Sequence, residues 1–273
     1  ALERLSLQLE TNPFAEGYIG WRSIPYAFWG KLKDALTIFD RDFKKWQGKS
    51  DPGNLAWASV MFGHLLEKAG HFGNALSVCE ISLRYAREAA EGLLECEALF
   101  RKGVILARQG KLQEARDSAE VLRQTIESYP AKNRIRLYEG LMGLIALEQK
   151  DSVRAREHFQ KALSLTPVEL GYMLASRTEF LDWLAEAHEL AGLWAEAQKD
   201  YEGIVSLKII VYAGNALIFS RSHYKLGKVL ERLGDKAGAA ARYRKFLDLW
   251  KDADPGLPEI EDAKKHLAML KEA

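Results

Sequence analysis

Apolar residues recur along this chain at helical spacing, in stretches such as Phe62, Leu65, Leu66 and Ala69. A short phrase recurs between these stretches: a turn residue, an Ala five positions on, and an aromatic or small residue four further on. Its copies are Gly30-Ala35-Phe39, Gly70-Ala75-Cys79, Gly110-Ala115-Ala119, Lys150-Ala155-Phe159, Gly192-Ala197-Tyr201 and Gly234-Ala239-Tyr243. The turn residues are 40, 40, 40, 42 and 42 positions apart. A fixed period of this size predicts a solenoid of repeated units rather than a fold around one pocket.

A small residue lies seven positions before each turn residue. These residues are Ser23, Gly63, Gly103, Gly143, Ala185 and Gly227. A Gly inside a helix costs about 1 kcal/mol relative to Ala, so its repeated use indicates the close approach of a second helix. Each unit is therefore expected to be two antiparallel helices, with the turn Gly in the left-handed conformation that ends the first helix.

The combined pattern resembles the tetratricopeptide repeat. The matching residues are Leu226-Gly227, Leu230, Gly234, Ala239, Tyr243 and Phe246, and also Met142-Gly143, Ala155, Phe159, Ala162 and Pro167. The resemblance implies an all-α, right-handed superhelical solenoid of antiparallel helix pairs, with about 14 helices. The family's repeat is about 34 residues long, so the longer period here predicts longer helices or longer loops. Similar long repeats occur in sensor and scaffold regions of bacterial signalling proteins.

The repeat divides the chain into one solenoid domain over residues 1–273. Residues 1–13 are expected to form the helix of a truncated repeat, with an apolar side left open. The helix pairs are expected over residues 14–54, 55–94, 95–134, 135–168, 169–212 and 213–254. Residues 255–273 are expected to form a capping helix that has Ile260, Ala263, Leu267 and Leu270 on its apolar side.

Composition changes this picture little. A net charge of +1 gives no reason to expect nucleic acid as a partner, and no apolar run reaches the length of about 18 residues that a membrane helix needs. Of the two cysteines, Cys79 falls at a predicted core position. A buried free thiol and a cytoplasmic location are therefore expected.

No pattern of catalytic or cofactor-binding residues stands out. The six histidines do not occur at metal-ligand spacing. Asp182, Glu186 and Glu189 share one helix face, close to His188, and are expected to form a solvated face rather than a metal or acid–base site. With no phosphate loop and no nucleophile motif, the prediction is a non-enzyme without cofactor or metal.

The family resemblance implies where a partner would bind, because the first helix of each unit lines the concave side. The predicted groove residues are Trp57, His64, Phe100, Arg101, Arg108, Leu141, Leu144, Trp183, Glu186, Arg221, Tyr224, Lys225 and Lys228. Aromatic and Arg side chains are frequent at binding hot spots. Trp21 and Trp57 fit the core and the groove equally well. The charged residues are expected to be exposed.

Charge is segregated between the last units, with a net −6 over residues 169–202 and a net +7 over residues 203–251. Either neighbouring units pair their charges, or the groove is polarised for a ligand. For Arg221, Lys225 and Lys228 the second interpretation is favoured. The expected function is a protein-interaction module that binds a peptide or protein segment, as the sensor or scaffold part of a larger bacterial signalling protein. A small-molecule sensor with a closed pocket lined by Trp57, Phe100 and Trp183 is one alternative. Self-assembly through the open N-terminal end is another.

Overall fold

The structure, a computed structural model, describes residues 19–129, 132–166, 174–207 and 212–272. Within these ranges the chain is helical and contains no strand. The helices are α1 (Ile24–Phe28), α2 (Leu32–Trp46), α3 (Pro52–Lys68), α4 (Phe72–Glu88), α5 (Gly92–Arg108), α6 (Leu112–Ser128), α7 (Ile135–Glu148), α8 (Ser152–Ser164), α9 (Leu174–Leu190), α10 (Trp194–Val205), α11 (Ala213–Arg232), α12 (Lys236–Leu249) and α13 (Pro258–Glu272). None of these helices combines the length and the apolar character needed to cross a membrane.

The helices pair in sequence order, α1 with α2 through α11 with α12, and α13 packs against α12. These six described pairs are the units of the solenoid, which confirms the predicted all-α architecture. On α13, Ala263 is buried and Ile260, Leu267 and Leu270 pack against the core, as expected for a capping helix. The helix predicted for residues 1–13 lies outside the described residues.

The turn residues adopt the predicted left-handed conformation. Among the described residues, φ is positive at Gly30, Gly70, Gly110, Gly192 and Gly234. Lys150, which replaces Gly in the fourth copy, has a φ of 64°. At the third turn, the amide of Gly110 donates to Ala107 O and the amide of Lys111 donates to Leu106 O, at 2.9 and 3.0 Å. These bonds satisfy carbonyls that the end of α5 leaves free.

The small residues upstream of the turns lie at close helix contacts. A Cβ added at Gly143 would be 2.7 Å from Phe159, and one at Gly227 would be 2.7 Å from Tyr243. Both partners lie on the second helix of the same unit, as predicted. Gly103 differs, because the three atoms nearest to its added Cβ all belong to Leu141 on α7, the first at 2.4 Å. The third copy of the phrase has only Ala119 at the position of these aromatics, and Gly103 instead admits a side chain from the next unit.

The solenoid closes on itself. The first helices α3, α5, α7, α9 and α11 contact one another in order, and α11 also contacts α1 and α3. We call the contact of the sixth unit with the first two units the seam. Phe28 O, at the end of α1, accepts hydrogen bonds from Ser220 Oγ at 2.7 Å and from Trp250 Nε1 at 3.2 Å. The concave side of the solenoid is therefore an enclosed interior, where the sequence predicted an open groove.

Both cysteines are buried free thiols, as predicted for Cys79. Burial raises the pKa of Cys79 to about 12 and that of Cys96 to about 11. Neither thiol is ionised near neutral pH, which fits a packing role.

Candidate functional site

The predicted groove residues of the third, fourth and fifth units lie inside the closed solenoid. Phe100, Leu141, Leu144 and Trp183 are at most 1% exposed. They were expected to line an open surface, and this part of the prediction is wrong. Because the first helices form a ring, their concave faces pack on one another across the interior.

An aromatic cluster fills the centre of this interior. The ring centroids of Phe100, Phe159 and Phe180 lie 5.8–6.2 Å from that of Trp183. Lys68 Nζ lies 5.3 Å and Arg108 Cζ lies 5.9 Å from the centre of the Trp183 ring. Such cation–π contacts are stronger when the cation is desolvated. The cluster therefore favours positive charge next to Trp183.

One face of α9 carries the matching negative charge. Glu179, Asp182, Glu186 and Glu189 follow one another at helical spacing. Glu179 is 1% and Asp182 5% exposed. The face was expected to be solvated, and the structure turns it inward instead. Cations from three other units meet it, which shows that charges of different units pair across the interior.

We call the deeper group the inner ion cluster, formed by His64, Glu67, Lys68, Arg101 and Glu179. Arg101 donates from Nη1 and Nη2 to the two oxygens of Glu179, at 2.9 and 3.0 Å. Lys68 Nζ lies 3.0 Å from Glu179 Oε1, and His64 Nε2 lies 3.4 Å from the same oxygen. Arg101 is 4% exposed, so the prediction that this charge projects into solvent is also wrong.

Burial and charge act in opposite directions on these groups. Burial alone would raise the pKa of Glu179, but the charges of Arg101 and Lys68 outweigh it and hold that pKa well below its usual range. Burial lowers the pKa of His64, and the charge of Arg101 lowers it further. His64 is therefore neutral at pH 7, while Glu179 and Arg101 stay charged.

His64, Glu67 and Glu179 place ligand atoms within 4.8 Å of one another, a spacing that could hold a metal ion. Arg101 and Lys68 already neutralise the two carboxylates. A divalent cation here would add an uncompensated charge in a buried site, which is strongly unfavourable. The donor set therefore suits an ion-pair cluster rather than a metal.

We call the shallower group the outer ion cluster, formed by Arg108, Glu148, Asp182, Glu186 and Lys225. Lys225 Nζ donates to Asp182 Oδ1 at 2.7 Å and to Glu186 Oε1 at 2.8 Å. Arg108 donates to Glu148 Oε1 at 2.8 Å and to Glu186 Oε2 at 3.1 Å. The side chains of Arg108, Glu148, Glu186 and Lys225 are 22–27% exposed. This cluster is the part of the charged interior that solvent reaches.

The outer cluster shifts the pKa values of Asp182 and Glu186 in opposite directions. Burial raises the pKa of Asp182; the charge of Lys225 opposes this shift and that of Glu186 adds to it. Burial would also raise the pKa of Glu186, but Lys225 and Arg108 together hold it well below the usual range. Glu186 is therefore the firmly ionised carboxylate that joins the two cations.

The other predicted groove residues of the sixth unit contact their own chain. Arg221 donates to Lys68 O at 2.7 Å and pairs with Glu259 at 2.9 Å. Tyr224 donates to Asp262 on α13 at 2.6 Å, and Lys228 donates to the Tyr224 hydroxyl at 3.3 Å. The favoured interpretation for Arg221, Lys225 and Lys228 was an open, ligand-facing surface. The structure shows pairing within the chain, although Lys228 remains 46% exposed.

Trp57 lies at the opposite end of the interior. It is half-buried and meets Tyr212 edge-on at 5.7 Å, in a cleft that Trp21 also lines. Phe100 and Trp183 do not line this cleft. The three aromatic residues predicted to line one pocket therefore lie in two places: Trp57 lines the cleft, and Phe100 and Trp183 lie in the buried centre.

Sequence reasoning missed Glu179, the central carboxylate of the inner cluster. Its signal was present, because Glu179 precedes Asp182 by three residues on the same helix face. That signal points to the interior only once the ring is known to close.

Models of the tetratricopeptide repeat match residues 60–122 and residues 221–253. These stretches cover most of the second and third units and most of the sixth. The chain carries tetratricopeptide repeats. No curated protein matches it in sequence.

Solved structures with the same architecture are similar over nearly the whole chain. A tetratricopeptide repeat protein from Parabacteroides merdae has a TM-score of 0.54 at 16% identity, covering 99% of this chain and 90% of that one. NprR in complex with its cognate peptide NprX has a TM-score of 0.56 at 14% identity, covering 99% of this chain and 77% of that one. A chain of the APC/C hetero-tetramer Cut9-Hcn1 has a TM-score of 0.55 at 16% identity, covering 98% of this chain and 45% of that one. At these identities the similarity establishes the tetratricopeptide-repeat fold alone.

Proposed function

We propose that this tetratricopeptide-repeat chain is a non-catalytic module that binds a segment of another protein through a carboxylate, at the outer ion cluster. The observation that carries the proposal is the position of Glu186. Its two oxygens lie 2.8 Å from Lys225 Nζ and 3.1 Å from Arg108 Nη2. Its side chain is 27% exposed, so a partner can approach the same two cations.

A carboxylate from a partner can take the place of Glu186 without leaving either cation unpaired. Breaking a buried ion pair costs about 3–5 kcal/mol, because a charge is left uncompensated. Exchange of one carboxylate for another avoids most of that cost. The partner class that fits is a segment with an acidic side chain or a free carboxyl terminus.

The fold is compatible with this role. NprR, whose fold is similar, is described in complex with its cognate peptide. By fold analogy, we propose that this chain is the sensor or scaffold part of a larger bacterial signalling protein. The specific prediction for this chain rests on Arg108, Glu186 and Lys225.

The test is selection of random short peptides with free carboxyl termini on the purified chain and on three variants. Lys225→Glu removes one cation of the site. Lys236→Glu makes the same charge change at an exposed position on α12 and is the matched control. Glu186→Gln removes the internal competitor for Arg108 and Lys225.

The native chain and Lys236→Glu are expected to select peptides with an acidic residue or a terminal carboxylate. Lys225→Glu should lose them, and Glu186→Gln should bind them several-fold more tightly, because charge-assisted hydrogen bonds to both cations become available. Circular dichroism confirms that each variant is folded. Unchanged affinity in Lys225→Glu, or weaker binding in Glu186→Gln, would contradict the proposal.

A further inference from the structure

A cleft of about 270 Å³ lies at the seam, where the first, second and sixth units meet. The first unit contributes Trp21 and Phe39, the second contributes Trp57 and Met61, and the sixth contributes Tyr212. The cleft is at the opposite end of the interior from the outer ion cluster. It is distinct from the site proposed above.

The walls of the cleft are aromatic and uncharged. Among the residues that the structure describes, its lining is Ile19, Gly20, Trp21, Ile24, Phe39, Ser50, Asn54, Trp57, Ala58, Met61, Tyr212 and Ala213. No charged side chain occurs in this set. Charged ligands would lose hydration here without gaining a partner, so the lining favours a neutral ligand. Flat aromatic walls favour a planar one.

Tyr212 supplies a hydrogen-bond donor. Its side chain is 8% exposed and meets Trp57 edge-on, and within the part of the chain that the structure describes its hydroxyl forms no hydrogen bond. Burial raises the pKa of Tyr212 to about 12, so the hydroxyl keeps its proton at neutral pH. Within the cleft, the hydroxyl can donate to water or to a ligand. A ligand that carries an acceptor would satisfy it.

The volume sets the size of the ligand. An apolar cavity of about 150 Å³ holds one benzene ring, and pockets for larger ligands begin near 300 Å³. A space of about 270 Å³ therefore suits two fused rings.

We propose that the seam cleft binds a small, neutral, planar aromatic molecule of about two fused rings that carries a hydrogen-bond acceptor for Tyr212. Because the walls belong to both sides of the seam, the complete site exists only in the closed solenoid. A ligand that binds one state better than another shifts the population towards that state. The bound molecule therefore holds the sixth unit against the first two.

The test uses two probes of the same shape, quinoline with a ring nitrogen acceptor and naphthalene without one. Binding is measured by ligand-observed NMR on the full chain. Tyr212→Phe removes the donor alone, and Tyr138→Phe makes the same change at a tyrosine outside the cleft lining. Ala58→Leu extends a larger side chain into the cleft, since Ala58 is part of its lining.

Quinoline is expected to bind the native chain and Tyr138→Phe roughly three- to tenfold more tightly than naphthalene, as one net hydrogen bond predicts. Tyr212→Phe should lose this preference while still binding naphthalene, and Ala58→Leu should weaken both probes. Quinoline should also slow amide exchange at the seam, for example at Asp254, whose amide donates to Gly30 O at 3.1 Å.

Three outcomes would overturn the proposal. One is that neither probe binds the native chain up to its solubility limit. The second is an undiminished preference for quinoline in Tyr212→Phe. The third is binding without slower exchange at the seam, which would place the probes at another site.

Discussion

The junctions between consecutive units and the seam between the last and first units are built differently. At the junction of the third and fourth units, the apolar side chain of Leu141 enters the space that Gly103 leaves. At the seam, specific polar groups satisfy the ends of helices of the first unit. Asp254 Oδ2 accepts from the amide of Lys33 at 2.9 Å, in the first turn of α2, whose N-cap Lys31 provides no side-chain hydrogen bond.

This difference shows that a periodic pattern specifies neighbours but not closure. Each unit carries the residues that pack it on the next one, so the stack is implied by the period. Ser220, Trp250 and Asp254, whose side chains form hydrogen bonds across the seam, lie outside the repeated phrase. The Asp254 carboxylate caps the first turn of α2, although it follows Lys33 by 221 positions in the sequence. The ion clusters likewise join units that are not consecutive.

The largest effect is expected at the inner ion cluster, which joins the fifth unit to the second and third. Glu179→Gln should lower the free energy of unfolding by about 3–5 kcal/mol, because Arg101 and Lys68 are left buried without their shared carboxylate. Urea unfolding measures the change. Glu120→Gln, at the exposed pair with Arg123, is the control and should produce no measurable change. A similarly small loss in Glu179→Gln would mean that the cluster contributes nothing to closure.

At a consecutive junction, Gly103→Leu should cost about 3 kcal/mol, because an added Cβ already lies 2.4 Å from Leu141. Gly73→Leu is the matched control. Gly73 is also helical, but it is exposed and has no atom within 4 Å of an added Cβ. That control should gain some stability from its higher helix propensity. Equal effects of the two substitutions on chemical unfolding would rule out the packing of Gly103 against Leu141.

Substitutions at two turn glycines distinguish a turn that packs at the seam from a turn that packs on nothing. Gly110→Ala should cost about 1 kcal/mol, because φ is 75° and nothing lies within 4 Å. Gly30→Ala carries the same backbone cost at a φ of 71°, but its Cβ would also lie 2.8 Å from Trp250 and Ala253 across the seam. A total of about 2–3 kcal/mol is expected. If both variants lose the same stability in thermal unfolding, the seam is not closed in solution.

Acid should destabilise the chain through two buried histidines, His223 in the sixth unit and His64 at the seam. Burial, together with the charges of Arg242 and Lys245, lowers the pKa of His223 to about 4. The unfolded chain binds this proton near pH 6.5, so the contribution of His223 to stability is present above that pH and is lost as the pH falls towards 4. His64, whose pKa burial also lowers, packs against Gly214 of α11.

The measurement is urea unfolding of the native chain and His223→Gln at pH 7 and pH 5. The native chain should lose about 2 kcal/mol more than the variant over this interval. His71→Gln, at the exposed histidine that precedes α4, serves as the control. Parallel losses in the native chain and His223→Gln would assign the acid sensitivity to other groups.

The sequence predicted the helix pairs and their turns well, because both depend on local physics. A left-handed residue was expected at Gly110 from its place after an apolar stretch, and the structure confirms it. The same pattern even identified the fourth turn, where Lys150 takes the conformation despite its side chain. The candidate site was harder to predict. Arg101 and Lys225 were correctly placed on the first helices but were expected to be exposed, because a linear pattern of residues does not reveal how far the stack curves.

Closure of the ring also limits the order in which the units can acquire their native contacts during synthesis. The carbonyl of Phe28 cannot accept its two side-chain hydrogen bonds until Ser220 and Trp250 are synthesised, and these residues follow it by 192 and 222 positions. At about 5–20 residues per second, the ribosome needs roughly 10–40 seconds to deliver them. During that interval the second to fifth units can assemble on their consecutive neighbours, while the short α1 lacks the partners that cap its end. Although the first unit leaves the ribosome before the other five, it is therefore among the last of the six to acquire its native contacts.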